Sequence, residues 1–428
     1  MKLTFRLLIA LLAPMIAIGC AVNPVTGERE LNLYDKDWEI STGEQHYAPL
    51  RQQQGGDFVL DPELVAYVQQ VGQRVAGPAP RDLPYEFAVI NSSVPNAWAL
   101  PGGKVSLNRG LLTEMESEAE LAAVLGHEVA HAAVRHSAQQ QSRTALTQGA
   151  VLLGGVAVGV ATEREDYATI AVLGGMLGAQ LISQRYSREA EREADLWGTR
   201  WMHAAGYSPE GAVSLQRSFV RLSEGRNPGF VEGLFASHPP SPERVENNQR
   251  LADELGREGE VGAERYRAMI ARLEALQPAY EAHDEGRESL AEGDFEAALE
   301  QAEKALAMED GEALFHSLKG DALASMDRNR EAEQAYSQAL ARDQGWFYHH
   351  LRRGMVREQL GDYANARPDL QASIERLPTA QGHLFLGNAE RALGNRQLAI
   401  ENYRIAARSE DDAGQRARRA LTEMGAAP

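Results

Sequence analysis

The residues of this 428-residue chain best suited to chemistry are His127, Glu128 and His131, set out as H-E-x-x-H. On a helix, positions four apart share a face, so both imidazoles can reach one zinc ion. Glu128 lies about 100° around the helix from His127, where its carboxylate can reach a water beside the metal without ligating it. Such a site suits hydrolysis: the metal polarises a carbonyl and the carboxylate takes a proton from water. The helix is expected from an S-x-x-E capping box at Ser117 and Glu120. Leu121, Leu125 and Val129 then recur every fourth residue, as a buried helical face does.

A metal of this kind needs a third ligand, and carboxylates are available 60 residues beyond His131. Glu191 and Asp195 fall one helical turn apart within the run E-R-E-A-D. One carboxylate can ligate the metal while the other holds a ligating imidazole through its remaining N–H. Alone, such a charged run reads as a solvated helix face; paired with H-E-x-x-H it reads as part of a metal site.

Two further segments complete a pattern. Asn96 to Gly103 reads N-A-W-A-L-P-G-G, and Ser237 to Arg244 reads S-H-P-P-S-P-E-R. These four segments, in this order, resemble the HtpX and CAAX prenyl protease type of zinc metallopeptidase. The resemblance spans residues 96 to 244 and implies a zincin-like domain binding one zinc ion. It implies His127, His131 and Glu191 as ligands, Asp195 behind them, and Glu128 as the base. It also implies that Asn96 and its hairpin align the substrate as an added edge strand, and that Arg244 helps stabilise the tetrahedral intermediate. His238 has three readings: a surface loop histidine, an oxyanion donor, or a fourth zinc ligand that displaces the catalytic water. The resemblance favours the last.

The elements that must position these residues are mostly helical. Asp61-Pro62 opens an amphipathic helix carrying Leu64, Val68, Val71 and Val75. A strand is expected over residues 85–90, and a hairpin over 97–100 and 104–107, turned at Pro101-Gly102-Gly103. Two uncharged apolar stretches, 146–161 and 167–182, are each shorter than a membrane-spanning helix requires. Gly155 and Gly159, like Gly174 and Gly178, have the G-x-x-x-G spacing that lets two helices approach closely. A helical hairpin over the site is expected, with a membrane-dipping hairpin as the alternative.

Charge and cysteine usage narrow the setting. The net charge of −18 argues against nucleic acid or an anionic membrane surface as partner. The single cysteine excludes an intramolecular disulfide. Residues 1–19 read as a secretory signal, with Lys2 and Arg6 ahead of an apolar run. The ending A-I-G-C resembles a bacterial lipobox, which implies a lipid anchor at Cys20 and, with no Asp following, placement at the outer membrane.

Beyond Pro278 a repeat emerges. Gly286, Gly320, Gly354 and Gly387 are spaced by 34, 34 and 33 residues, and Ala298, Ala332, Ala366 and Ala399 each follow by 12. The period resembles the tetratricopeptide repeat, and four units would make a short solenoid with a concave face.

The expected organisation is therefore a signal segment at 1–19, an N-terminal segment at 20–60, a metallopeptidase domain at 61–277 and a repeat domain at 278–428. The fold class is mainly α (α+β): a zincin-like domain with a small hairpin at the cleft edge, followed by an α-solenoid. Resemblance to periplasmic family members that carry such repeats implies a zinc endopeptidase acting in outer-membrane protein assembly and quality control. The implied partners are unfolded or stalled outer-membrane proteins and the outer-membrane assembly machinery, met through the repeats. The alternative is mainly a chaperone or adaptor, with proteolysis secondary. A purely structural zinc would not need Glu128.

Overall fold

The computed structural model of the protein describes residues 20–154, 186–225 and 238–427. The signal segment, the four glycines of the G-x-x-x-G pairs and Ser237 lie outside the described residues, as do most of the two apolar stretches. Among the described residues no helix is long and apolar enough to cross a membrane.

The chain begins with a short antiparallel pair, β1 (Cys20–Val22) and β2 (Arg29–Leu31), and a helix, α1 (Lys36–Gln53). Helix α2 (Pro62–Ala76) starts where the sequence signals it: the Asp61 carboxylate accepts from the Leu64 amide at 3.0 Å. Leu64, Val68, Val71 and Val75 are all buried. Three strands follow, β3 (Glu86–Ile90), β4 (Ala97–Leu100) and β5 (Lys104–Asn108). β5 sits in the middle, parallel to β3 and antiparallel to β4. Among the described residues the hairpin thus leaves β4 at the sheet edge, with one row of backbone groups unpaired by strands.

After a single turn, α3 (Arg109–Leu112), comes the central helix α4 (Glu118–Val134). The Ser117 hydroxyl accepts from the Glu120 amide at 3.2 Å, as a capping box requires. The reciprocal bond differs from the simple box, because Glu120 accepts from the Glu116 amide at 2.8 Å. Nearly every residue of α4 is buried, so the helix runs through the core rather than along it. It ends at Arg135, whose left-handed φ of 72° turns the chain into α5 (His136–Gly154).

Helix α6 (Arg188–Ala204) lies against α4. The two cross where glycine faces glycine: a Cβ on Gly198 would stand 2.7 Å from the Gly126 carbonyl carbon and the His127 nitrogen. Only glycine permits this approach, and it brings the carboxylates of α6 within reach of the histidines of α4. Helices α7 (Glu210–Gly225), α8 (Pro242–Leu255) and α9 (Ala263–Ala275) close the domain.

The repeats form paired helices: α10 (Gln277–Glu292) with α11 (Phe295–Met308), α12 (Ala313–Ser325) with α13 (Asn329–Arg342), α14 (Phe347–Gln359) with α15 (Tyr363–Arg376), and α16 (Ala380–Ala392) with α17 (Arg396–Ala406). Helix α18 (Asp412–Glu423) caps the stack. The periodic small residues are where partner helices touch. A Cβ at Gly320 or Gly387 would fall 2.6 or 2.7 Å from the ring of Tyr336 or Tyr403.

Pro278 does not interrupt the run of helices between the two parts. It stands in the first turn of α10, a position that suits its missing N–H, and Leu276 both ends α9 and starts α10. Tyr280, Ala282, Leu314 and Phe315 join one continuous apolar core with α2, α4 and the sheet. A polar ring seals this junction. Arg109 donates to Asn91 at 2.7 Å, Asn91 and Tyr280 donate to Glu312 at 3.2 and 2.7 Å, and the Arg109 guanidinium lies 3.3 Å from the Tyr280 ring centroid. A second contact is made by Trp346, which donates to the Gln52 carbonyl at 2.9 Å and lies over Gly56.

Candidate metal centre

Helix α4 presents His127 and His131 one turn apart, α6 presents Glu191, and the segment before α8 presents His238. One donor atom from each lies within 4.8 Å of all the others. His131 Nε2 is 3.0 Å from His127 Nε2, which is 3.2 Å from His238 Nδ1. Glu191 Oε1 is 2.9 Å from His238 Nδ1 and 3.3 Å from His131 Nε2. Glu191, His131 and His238 are buried, and His127 is half-buried.

The donors suit a metal ion in type as well as spacing. His127 turns its Nδ1 to Asp195 at 3.0 Å, so its Nε2 is the nitrogen that faces the cluster. Three imidazole nitrogens and a carboxylate oxygen converge on one point, a donor set that a single cation could bridge. Ligands at zinc distances in a tetrahedron stand about 3.3 Å apart, close to the separations found here.

The surrounding charges point the same way. Burial would raise the Asp195 carboxyl, but the bidentate Arg244 guanidinium holds it below its ordinary range. Burial would likewise raise Glu191, yet His238 and His127 hold it well below. Burial disfavours a charged His127, but Glu191 and Asp195 outweigh it and lift the imidazole to about 10. In the same setting burial drives His131 well below its usual value. Two buried carboxylates, Asp195 and Glu191, thus stand against one guanidinium beside the cluster.

Glu128 is buried beside the cluster, with Oε1 3.6 Å from His238 Nε2, and burial raises its carboxyl above the ordinary range. Its other oxygen has no hydrogen-bond partner among the described residues. Glu128 and His127 border a narrow hollow walled by Val124, Leu215 and Phe219, with His238 on its rim.

Arg244 is placed differently from a donor aimed at substrate. Its Nε and Nη2 each donate to Asp195 at 2.7 Å, and Nη1 is 2.9 Å from Glu191 Oε2. Asn96 lies at the entry to β4, outside the residues around the cluster, where its carbonyl accepts from the Asn108 amide at 2.8 Å. Three neighbours were not singled out in the sequence. Tyr186 stacks on His131 with ring centroids 4.0 Å apart, and His136 and Glu193 lie behind that same ligand.

Comparison with known proteins agrees with this geometry. Residues 62–252 match the family model for Peptidase family M48, and residues 283–346 and 351–417 match that for the Tetratricopeptide repeat. The Beta-barrel assembly-enhancing protease of Escherichia coli is 25% identical over 247 residues, covering 57% of this chain and 50% of that protein. The Mitochondrial metalloendopeptidase OMA1 of Schizosaccharomyces pombe is 30% identical over 224 residues, covering 52% and 63%. Metalloprotease YcaL of Escherichia coli is 33% identical over 167 residues, covering 38% and 61%. The chain spans about half the length of the first curated relatives it matches.

Proposed function

We propose that the chain is a zinc-dependent endopeptidase of the bacterial periplasm, held shut at rest, a reading supported by its matches to the Peptidase family M48 and Tetratricopeptide repeat models. The observation that carries this reading is the convergence of His127, His131, Glu191 and His238 beside the unpartnered carboxylate oxygen of Glu128. When bound, zinc supplies Lewis-acid chemistry, polarising a carbonyl and acidifying water.

The chain's own residues divide the remaining work. His127, His131 and Glu191 would hold the metal. Glu128 accepts the proton of the attacking water and returns it to the departing amine. Its buried setting, which raises the carboxyl, brings its proton affinity nearer that task. The Asp195 carboxylate, 3.0 Å from His127 Nδ1, favours a proton on that nitrogen and so leaves Nε2 for the metal. Arg244 keeps Asp195 and Glu191 charged and in place, a positioning role that its three contacts favour over one at the oxyanion. The free edge of β4 is where an extended peptide adds as a strand, with Asn96 at its entry.

His238 is the plug. With it, a bound ion would find four ligands in the protein; with His238 moved away, a place for water would open beside Glu128. The same closed donor set favours a second role in which the repeats dock clients as a chaperone does and proteolysis is held in reserve. The clients fitting both roles are outer-membrane proteins and their assembly machinery, a class suggested by the name of the Escherichia coli relative. A lipid anchor at Cys20 would place the enzyme at that membrane.

The test is metal removal. Chelation should abolish cleavage of casein by the His238→Ala chain, in which the plug is gone, and one zinc per chain should restore it. Cleavage that survives complete chelation would overturn the reading.

A further inference from the structure

The geometry points to His136 and Glu193 as a positioning relay that orients the metal ligand His131, as Asp195 orients His127. The inference rests on the metal-centre reading above, and extends it to residues outside the H-E-x-x-H pattern and its carboxylate partners.

His131 turns Nε2 toward His127 and Glu191, at 3.0 and 3.3 Å. Its other nitrogen, Nδ1, meets not a carboxylate or a carbonyl but a second imidazole, with His136 Nδ1 at 2.9 Å. Both rings are buried, at 1% and 3% exposure, and the pair excludes water from this contact. Beyond it, His136 Nε2 reaches Glu193 Oε2 at 3.2 Å.

Ligation settles the direction of every bond in this chain. A neutral imidazole with its Nε2 lone pair on a metal carries its only proton on Nδ1. His131 therefore donates, and His136 Nδ1 accepts. A neutral His136 that accepts at Nδ1 holds its proton at Nε2 and donates it to Glu193, an acceptor-only carboxylate. The three groups form one polarised line ending in a negative charge. Such a line fixes the tautomer of His131 and raises its basicity toward the metal. Reversing any bond would turn the Nδ1 lone pair of His131 outward and place a proton at the metal-facing nitrogen.

The backbone supports the same assignment. His136 is five residues past His131, which is not a same-face spacing on a continuous helix. The left-handed turn at Arg135 ends α4 and carries His136 back beside His131. Glu193 comes from α6, the helix that supplies Glu191, so α6 meets the start of α5 behind His131. Tyr186 completes the clamp. Its ring stacks on His131 at 4.0 Å, and its hydroxyl lies 2.9 Å from the Ser137 hydroxyl.

The test is zinc affinity of the full-length chain, measured by competition with a chromogenic chelator, and the visible spectrum of the cobalt(II)-substituted site. His136→Ala should weaken zinc about 10- to 100-fold and change the cobalt spectrum. His136→Asn, whose side-chain oxygen can accept where Nδ1 did, should recover most of that affinity, which a merely space-filling role would not allow. Glu193→Ala, at a half-exposed position that leaves no buried cavity, should weaken zinc by a smaller factor. Wild-type affinity in both Ala variants would overturn the relay, as would a His136→Asn variant that binds no better than His136→Ala. Failure of the wild-type chain to bind zinc would instead overturn the metal-centre reading itself.

Discussion

Replacing Arg244 with methionine separates two accounts of this residue. The guanidinium is 7% exposed and meets two carboxylates that are themselves 8% and 5% exposed, with contacts of 2.7, 2.7 and 2.9 Å. Methionine would fill much of the volume but leave Asp195 and Glu191 buried without their cation. Breaking a buried pair by removing one partner costs about 3–5 kcal/mol, because the remaining charge is uncompensated. In a domain of this size that lowers the thermal midpoint by about 6–20 °C. The loss should be largest in chelated protein and smaller with zinc bound, since zinc then meets the Glu191 charge. Differential scanning calorimetry of wild type and Arg244→Met, each with chelator and with zinc, reads all four states. A midpoint within about 2 °C of wild type in chelator, together with a fall in turnover, would refute the positioning role and return Arg244 to the oxyanion.

Other outcomes follow from the same contacts. His238→Ala should raise peptide turnover of the zinc-loaded enzyme, because it removes the fourth ligand; a clear fall would show that His238 acts chiefly as a donor to the intermediate. A chain ended after residue 277 loses Tyr280 and Phe315 from the shared core. At about 1.5–3 kcal/mol for each large apolar side chain, its peptidase should unfold several degrees lower, which calorimetry and limited proteolysis would detect. Glu358, on α14, has its carboxyl raised to about 7 by burial, against the opposing bond from Asn388. The folded state thus holds this proton more tightly than the unfolded chain, so stability is greatest below the ordinary carboxylate range and declines as pH rises through about 7. Glu358→Gln should therefore raise the midpoint at pH 8 and leave it nearly unchanged at pH 5; equal shifts at both would refute the assignment.

What the sequence made legible was local or periodic. H-E-x-x-H sits on one helix, so helix geometry alone places two ligands together. The carboxylates of α6 became meaningful only beside it, and the glycine contact that joins the two helices has no signature within either. The repeats were legible because a small residue every 34 positions is what stacked helix pairs require. His136 was not, because a left-handed residue breaks the periodicity between it and His131. Arg244 could be assigned no contact from its motif, since its partners stand on another helix about 50 positions away. Pro278 read as a boundary because proline disfavours helix interiors, yet at a first turn it starts a helix, and the core runs on through it.

The central claim is that Glu128 moves the proton while the ligands around it only hold and orient. Glu128→Gln keeps the size of the side chain and removes its basicity, so zinc content and casein cleavage should be measured on the same preparation. The account predicts one zinc per chain and a loss of cleavage of about 10²-fold or more. Substantial cleavage by a zinc-loaded Glu128→Gln protein would contradict it.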